Sequence, residues 1–165
     1  MQRHFTVTGF VSTPGHTLLH WHAKNQMWLP PGGHIEPNED PIQALHREVL
    51  EETGMRVTIL PAAPPYPYPT PQQLDPPNTI MVEEIPAHGP EAAHQHLDLV
   101  YFTRPATPGP PPTPPDGWRW VALADLRANT PFTHTELAPA VPVPEDVRVL
   151  GIAAIEQADN PEDPA

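Results

Sequence analysis

The chain has 165 residues, enough for one domain with a sizeable core. Its formal net charge is −12 with no run of Lys or Arg, which argues against a DNA or RNA partner, or else for cations that bridge a polyanion to it. It has no cysteine, which excludes disulfides, a thiolate nucleophile and cysteine-based zinc sites.

Met1 to Thr8 lacks the charged-then-apolar pattern of a signal peptide, and no apolar run approaches a membrane span. A cytoplasmic protein with no membrane contact is therefore expected. Phe5 to Ser12 alternates and is rich in β-branched and aromatic residues, so it is predicted as a strand. Pro14-Gly15 signals a turn, and His16 to His22 completes a hairpin. Pro30 to Gly33 is expected as a tight loop. Asp40 is suited to cap a helix, with Pro41 at its first position, Gln43 completing a capping box and Gly54 ending it after about Thr53. Arg56 to Leu60, Thr79 to Ile85, His94 to Thr103 and Trp118 to Leu123 are predicted strands. Ala124 to Ala128 is expected as a short helical turn and Val147 to Gln157 as a final helix. Two Pro-rich stretches, about 61–77 and 105–115, are expected as loops, since Pro fits neither helix interiors nor central strands. The order implies a mixed sheet flanked by helices, an α+β domain over 1–158, with a flexible tail at 159–165.

Gly33 to Met55 carries the chemistry. At about 100° per residue, Glu48, Glu51 and Glu52 project from one side of the predicted helix, while Ile42, Leu45 and Val49 form the adjacent core stripe. Ala44 falls beneath the glutamates. Like charges at this spacing cost roughly a few tenths of a kcal/mol per pair, and the helix C-terminus disfavours anions. A hard divalent cation such as Mg²⁺ explains the placement. A solvated acidic face, with Arg47 as a local ion-pair partner, is the plain alternative.

The spacing of Gly33, Glu39, Arg47, Glu48, Val49, Glu51, Glu52, Gly54 and Met55 closely resembles the Nudix box, with no specified position departing from it. Trp120 to Leu126 is similar to a feature the family carries near its end. The resemblance implies the Nudix fold, an α/β/α sandwich with a catalytic loop-helix-loop. It implies Mg²⁺ or Mn²⁺ held by Glu48, Glu52, Glu51 and the Gly33 carbonyl, with Arg47 orienting the glutamates and Glu39 pairing with Arg47. Catalysis then rests on Glu48, Glu52, Arg47 and Glu51. The implied reaction is hydrolysis of a phosphoanhydride bond in a nucleoside diphosphate linked to another group, a nucleotide-like small molecule. The general base is open between a box glutamate and Glu83, Glu84, Asp98 or Asp116. Homodimers are frequent among such domains, so one is compatible with the resemblance. The alternative function is a catalytically silent Nudix-fold binding or sensing module. Loss of catalysis would show as replaced box glutamates, and none is replaced.

Other residues invite a role. Trp28, His34 and Arg47 are candidates for substrate contact: Trp28 as a stacking aromatic or else a core residue, His34 because it adjoins the box glycines. His94, His96 and Asp98 share a strand face, as do His20 and His22. A second metal or phosphate edge at His94, His96 and Asp98 is weighed against a plain polar strand face, and the polar face is preferred.

Overall fold

Residues 2–90 and 92–160 are described in the computed structural model. Strand β1, Gln2–Thr13, organises the fold because it lies in the middle of the eight-stranded sheet and joins its two halves. Toward one side it runs parallel to β7, His94–Pro105, in a register from Gln2↔His94 to Val11↔Thr103. Strand β6, Thr79–Ile85, and strand β5, Val57–Ile59, pair antiparallel with β7. The end of β1 turns at Pro14-Gly15 into β2, His16–His22. Strand β2 is flanked by β3, Met27–Leu29, and β8, Trp118–Ala122, both antiparallel.

The alternation of β1 sends its side chains to two cores. Val7 and Val11 pack with Leu45 and Val49 of α1, Pro41–Thr53. Phe10, on the opposite face, packs with Val147, Ala154 and Ile155 of α3, Glu145–Ala158, and with Leu126 of α2, Leu123–Ala128. Helices therefore cover both faces of the mixed sheet, the expected α/β/α layering. Gly9 lets α1 approach β1 closely: a β-carbon there would stand 2.8 Å from Leu45 Cδ1 and 3.0 Å from Val49 Cγ2.

Most predicted elements are present, and the differences have tertiary causes. Strand β1 extends back to Gln2 because it pairs there with His94 of β7, and β7 extends to Pro105 because Arg104 and Pro105 pair with Thr58 and Val57 of β5. The expected tight loop at Pro30 to Gly33 is shorter, because Gly32–His34 forms strand β4 against Thr6 to Thr8 of β1. Gly32 has no side chain to hold the two backbones apart: a β-carbon there would collide with the Val7 carbonyl oxygen. Both Pro-rich stretches lack regular elements. The last helix runs to Ala158, and residues 161–165 of the expected tail lie outside the described residues. Among the described residues no helix is long and apolar enough to cross a membrane.

Replacing Gly9 with Val should force Leu45 and Val49 out of their places. We expect this overpacking to lower the unfolding free energy by about 1–3 kcal/mol, read from the urea midpoint.

Candidate active site

Local sequence sets the phase of α1. The Asp40 side chain accepts from the Ile42 and Gln43 amides, and the Gln43 side chain accepts from the Asp40 amide, so the capping box is complete. Gly54, at φ 70°, takes the left-handed cap, and its amide donates to the Leu50 carbonyl. With Ala44, Leu45 and Val49 buried, the helix can turn only one side toward β4. That side carries Arg47, Glu48, Glu51 and Glu52.

Arg47 is the hub. Its Nε and one terminal nitrogen donate to the two carboxylate oxygens of Glu39, both at 2.9 Å. The other terminal nitrogen donates to Glu48 at 2.7 Å and to Glu51 at 3.4 Å. The first terminal nitrogen also donates to the His34 carbonyl at 3.0 Å, tying the helix to β4. The bidentate bond holds the Glu39 carboxyl below its usual range, and bonds to Glu39 and then Glu48 hold the guanidinium more firmly protonated than usual. Each guanidinium N–H already has an acceptor. Arg47, a candidate for substrate contact from sequence, is thus occupied in positioning carboxylates.

The two glycines of β4 receive the glutamates. Glu48 lies directly over Gly33, where any β-carbon would run into its carboxylate. Glu52 accepts from the Gly32 amide at 3.1 Å. Burial raises the Glu52 pKa, and the charges of Glu48 and Glu51 add to this, against the Gly32 bond. Glu51 is the most peripheral of the three, its side chain 62% exposed.

A cleft of roughly 250 Å³ opens from Gly32, Gly33 and Glu52 across the α3-side face of the sheet. Phe10, Leu29, Met81 and Leu150 give it an apolar wall. Glu83 and Asp98 reach it, as does Asp146 from the first turn of α3. Burial, with Asp98 and Asp146 nearby, pushes the Glu83 carboxyl up to about 7. Burial also raises Asp98, against hydrogen bonds from Thr6, at 2.8 Å, and Thr8. On another wall, burial and then the neighbouring His22 lower His20 to about 4, and the His20 ring stacks on Trp118 with centroids 4.2 Å apart.

Several expectations change. Trp28 is 3% exposed and packs edge-on to Trp21 and Phe132, with the Arg119 guanidinium over its ring, so it is a core residue outside the lining of this cleft. Glu84 points away from the cleft and accepts from Gln95 at 2.6 Å. Asp116 is exposed in the loop before β8, outside the cleft lining. The preferred plain polar face at His94, His96 and Asp98 is not a solvated one. His94 and Asp98 are buried: the His94 ring lies against those of His4 and His96, and Asp98 accepts from Thr6 of β1. His34 is exposed and lines the cleft, as do His20, His22 and His96. Sequence reasoning missed His4 and Asp146. The parallel pairing that sets His4 beside His96 has no local signature, and neither does the docking of α3 that brings Asp146 across the sheet.

Helices layered on both faces of a mixed sheet, with a glutamate helix docked on a two-glycine strand, define the architecture of the site. A sequence profile of the NUDIX domain matches residues 2–141. The fold is similar to a NUDIX-family hydrolase from Clostridium perfringens, at 27% identity and a TM-score of 0.65, covering 94% of this chain and 98% of that one. It is also similar in fold to a MutT protein from Methanosarcina mazei Go1, at 17% identity and a TM-score of 0.53, covering 96% and 97% of the two chains. A 40-residue stretch, 24% of this chain, is 52% identical to an RNA pyrophosphohydrolase from Mesorhizobium japonicum. That match spans only 23% of the relative's length. The chain belongs to the Nudix family and is a Nudix hydrolase.

Glu83 yields a pH prediction. Its carboxyl titrates near 7 in the fold against an ordinary 4.5, so folding disfavours its charged form. Its contribution to stability is therefore greatest below about 4.5 and is lost as the pH rises through about 7. With the side chain 40% exposed to screening water, we expect Glu83→Gln to stabilise the protein by about 1 kcal/mol at pH 8. At pH 4.5 the gain should nearly vanish. Thermal melts in a chelating buffer at both pH values test this, and equal Tm shifts would contradict it.

Proposed function

We propose that the protein hydrolyses a phosphoanhydride bond in a nucleoside diphosphate linked to another moiety, with Mg²⁺ or Mn²⁺ held by the box glutamates. One observation carries the reading: Arg47 and the two glycines hold the Glu48 and Glu52 carboxylates against one strand of the cleft. The residues fit a hard cation. Their donors are carboxylate oxygens and the Gly33 carbonyl, which suit Mg²⁺ better than softer ligands would. Arg47 is the cation bonded to this group, and it spends its bidentate face on Glu39. Burial first, and then the charges of Glu48 and Glu51, raise the Glu52 pKa, and a divalent ion would offset that local negative charge.

In this reading Glu48, Glu52 and the Gly33 carbonyl are the principal holders, with Glu51 contributing from the rim. Bound there, the ion supplies charge neutralisation for the phosphates and acidifies water. The chain's own groups do the rest. Arg47 fixes the direction of Glu48, and the Gly32 amide fixes that of Glu52. The apolar wall of Phe10, Leu29, Met81 and Leu150 takes the uncharged part of the substrate and excludes water around the reacting phosphate. Glu83 Oε is the proton acceptor this reading favours for the attacking water. It faces the cleft, and a carboxyl near 7 is matched to base catalysis at neutral pH.

Nucleoside triphosphates, nucleotide sugars and dinucleoside polyphosphates all present the required bond. The Mesorhizobium japonicum relative, an RNA pyrophosphohydrolase, raises RNA as a substrate, but the net charge of −12 without a basic run supports a free nucleotide-like molecule. The catalytically silent reading has no residue in its favour, because every box glutamate is present. A homodimer draws support from the exposed Phe5, Ile80 and Val82 on the sheet face beside α1.

Two predictions test the reading. Glu52→Gln should lower kcat by at least about a hundredfold with unchanged circular dichroism, in an assay reading Mg²⁺-dependent release of nucleoside monophosphate or pyrophosphate. Activity that survives chelation or this substitution would exclude the mechanism. Glu83→Gln should lower kcat by about 10²–10⁴-fold and remove the acidic limb of the rate profile near pH 7, whereas Glu84→Gln should do neither. An unaltered pH profile in Glu83→Gln would exclude Glu83 as the base.

A further inference from the structure

Beside the glutamate site lies a second, chemically different cluster. His4 of β1, His34 of β4 and His96 of β7 each offer a ring nitrogen, and these nitrogens all lie within 4.8 Å of one another. The topology makes the cluster: His4 and His96 are direct partners in the parallel β1–β7 ladder, and β4 brings His34 opposite Thr6 on the other side of β1. His94, two residues before His96 on the same face, adds a fourth ring, its centroid 4.6 Å from that of His4 and 5.0 Å from that of His96.

The nitrogens are spaced as ligands. His34 Nε2 stands 3.3 Å from His4 Nδ1, and His94 Nε2 stands 3.2 Å from His96 Nε2. Two imidazoles on one tetrahedral zinc ion, each at about 2.0–2.1 Å, put their nitrogens about 3.3–3.4 Å apart. At each close contact at least one nitrogen presents a lone pair, since two N–H groups cannot face each other. Four imidazolium ions therefore cannot occupy this space together, which disfavours the cluster as an anion site and favours it as a cation site.

The outer contacts fit as well. His94 Nδ1 meets the Ala92 carbonyl at 2.9 Å, an acceptor, so this nitrogen carries a proton and Nε2 is the one turned to the cluster. His96 Nδ1 faces the Glu83 carboxylate at 3.8 Å, the outward partner that a metal-bound histidine commonly has. His4 and His96 are half-buried and His34 is exposed, so the cluster lies at the mouth of the cleft, open to an ion from solvent.

We propose that His4, His34 and His96 form a site for a borderline transition-metal cation, Zn²⁺ first among them, with His94 standing as a fourth imidazole beside it. Imidazole nitrogens select Zn²⁺, Ni²⁺ or Cu²⁺ over Mg²⁺, whereas the carboxylate oxygens of the box select the hard ions. Two sites of opposite preference thus share one cleft, and His34 belongs to the second. The site does not depend on the proposed hydrolysis.

Zinc titration of the full chain, followed by calorimetry with Mg²⁺ at saturation, tests this. The parent protein should take up one equivalent of Zn²⁺. His34→Ala and His96→Ala should each weaken uptake at least tenfold, while Glu52→Gln should bind Zn²⁺ as the parent does. Co²⁺ in place of Zn²⁺ should give the visible absorption of a nitrogen-ligated ion, lost in His96→Ala. His34 is exposed on a three-residue strand, so its variant keeps the test valid if His96→Ala fails to fold, which circular dichroism reads. No uptake by the parent beyond its Mg²⁺, uptake unaltered in His34→Ala, or uptake lost in Glu52→Gln would each overturn the proposal.

Discussion

The candidate site depends on one arginine. Glu39, Glu48, Glu51 and Glu52 crowd one end of the cleft, and unpartnered they would splay into water. Arg47 binds Glu39 with both arms of its guanidinium, reaches Glu48 and Glu51 with its remaining nitrogen, and anchors the assembly to the His34 carbonyl. A lysine would carry the same charge but not the fork that meets these partners in fixed directions. The carboxylates of Glu39, Glu48 and Glu51 are consequently held by one side chain, while the Gly32 amide holds Glu52.

That arrangement needs the helix and strand to meet closely, and three glycines allow it. Gly9 admits α1 against β1, Gly32 admits β4 against the β1 backbone, and Gly33 leaves the space that the Glu48 carboxylate fills. Each works through the absence of a β-carbon, not through an unusual backbone angle; among the described residues none of the three has a positive φ. Close packing on the α1 side thereby sets the chemistry on the cleft side of the same sheet.

The cleft divides its acidic groups by environment. Glu39 is held charged by its arginine, Glu83 and Asp98 are pushed toward neutrality by burial, and Glu52 is pulled both ways. Such separation lets neighbouring carboxylates take different roles at one pH. The histidines on the adjoining sheet edge add nitrogen donors to a region otherwise built from oxygen.

The helix and its caps, the strands flanking it and the fixed spacing of the box glutamates were legible in the sequence, because each rests on contacts within a few residues: Asp40 with Gln43, Gly54 with Leu50, side chains three and four apart on one helix. The roles of Trp28, Glu84, Asp116, His4, His94 and Asp146 were not. A tryptophan alone cannot say which core will close over it, and alternation along β7 says that His94 and Asp98 share a face but not that side chains of β1 will close on it. By itself the sequence determined the local elements and the motif that places the chain in its family. Only the tertiary structure decided which carboxylates and histidines meet across the cleft, because those meetings depend on strand pairing and helix docking between residues some ninety positions apart.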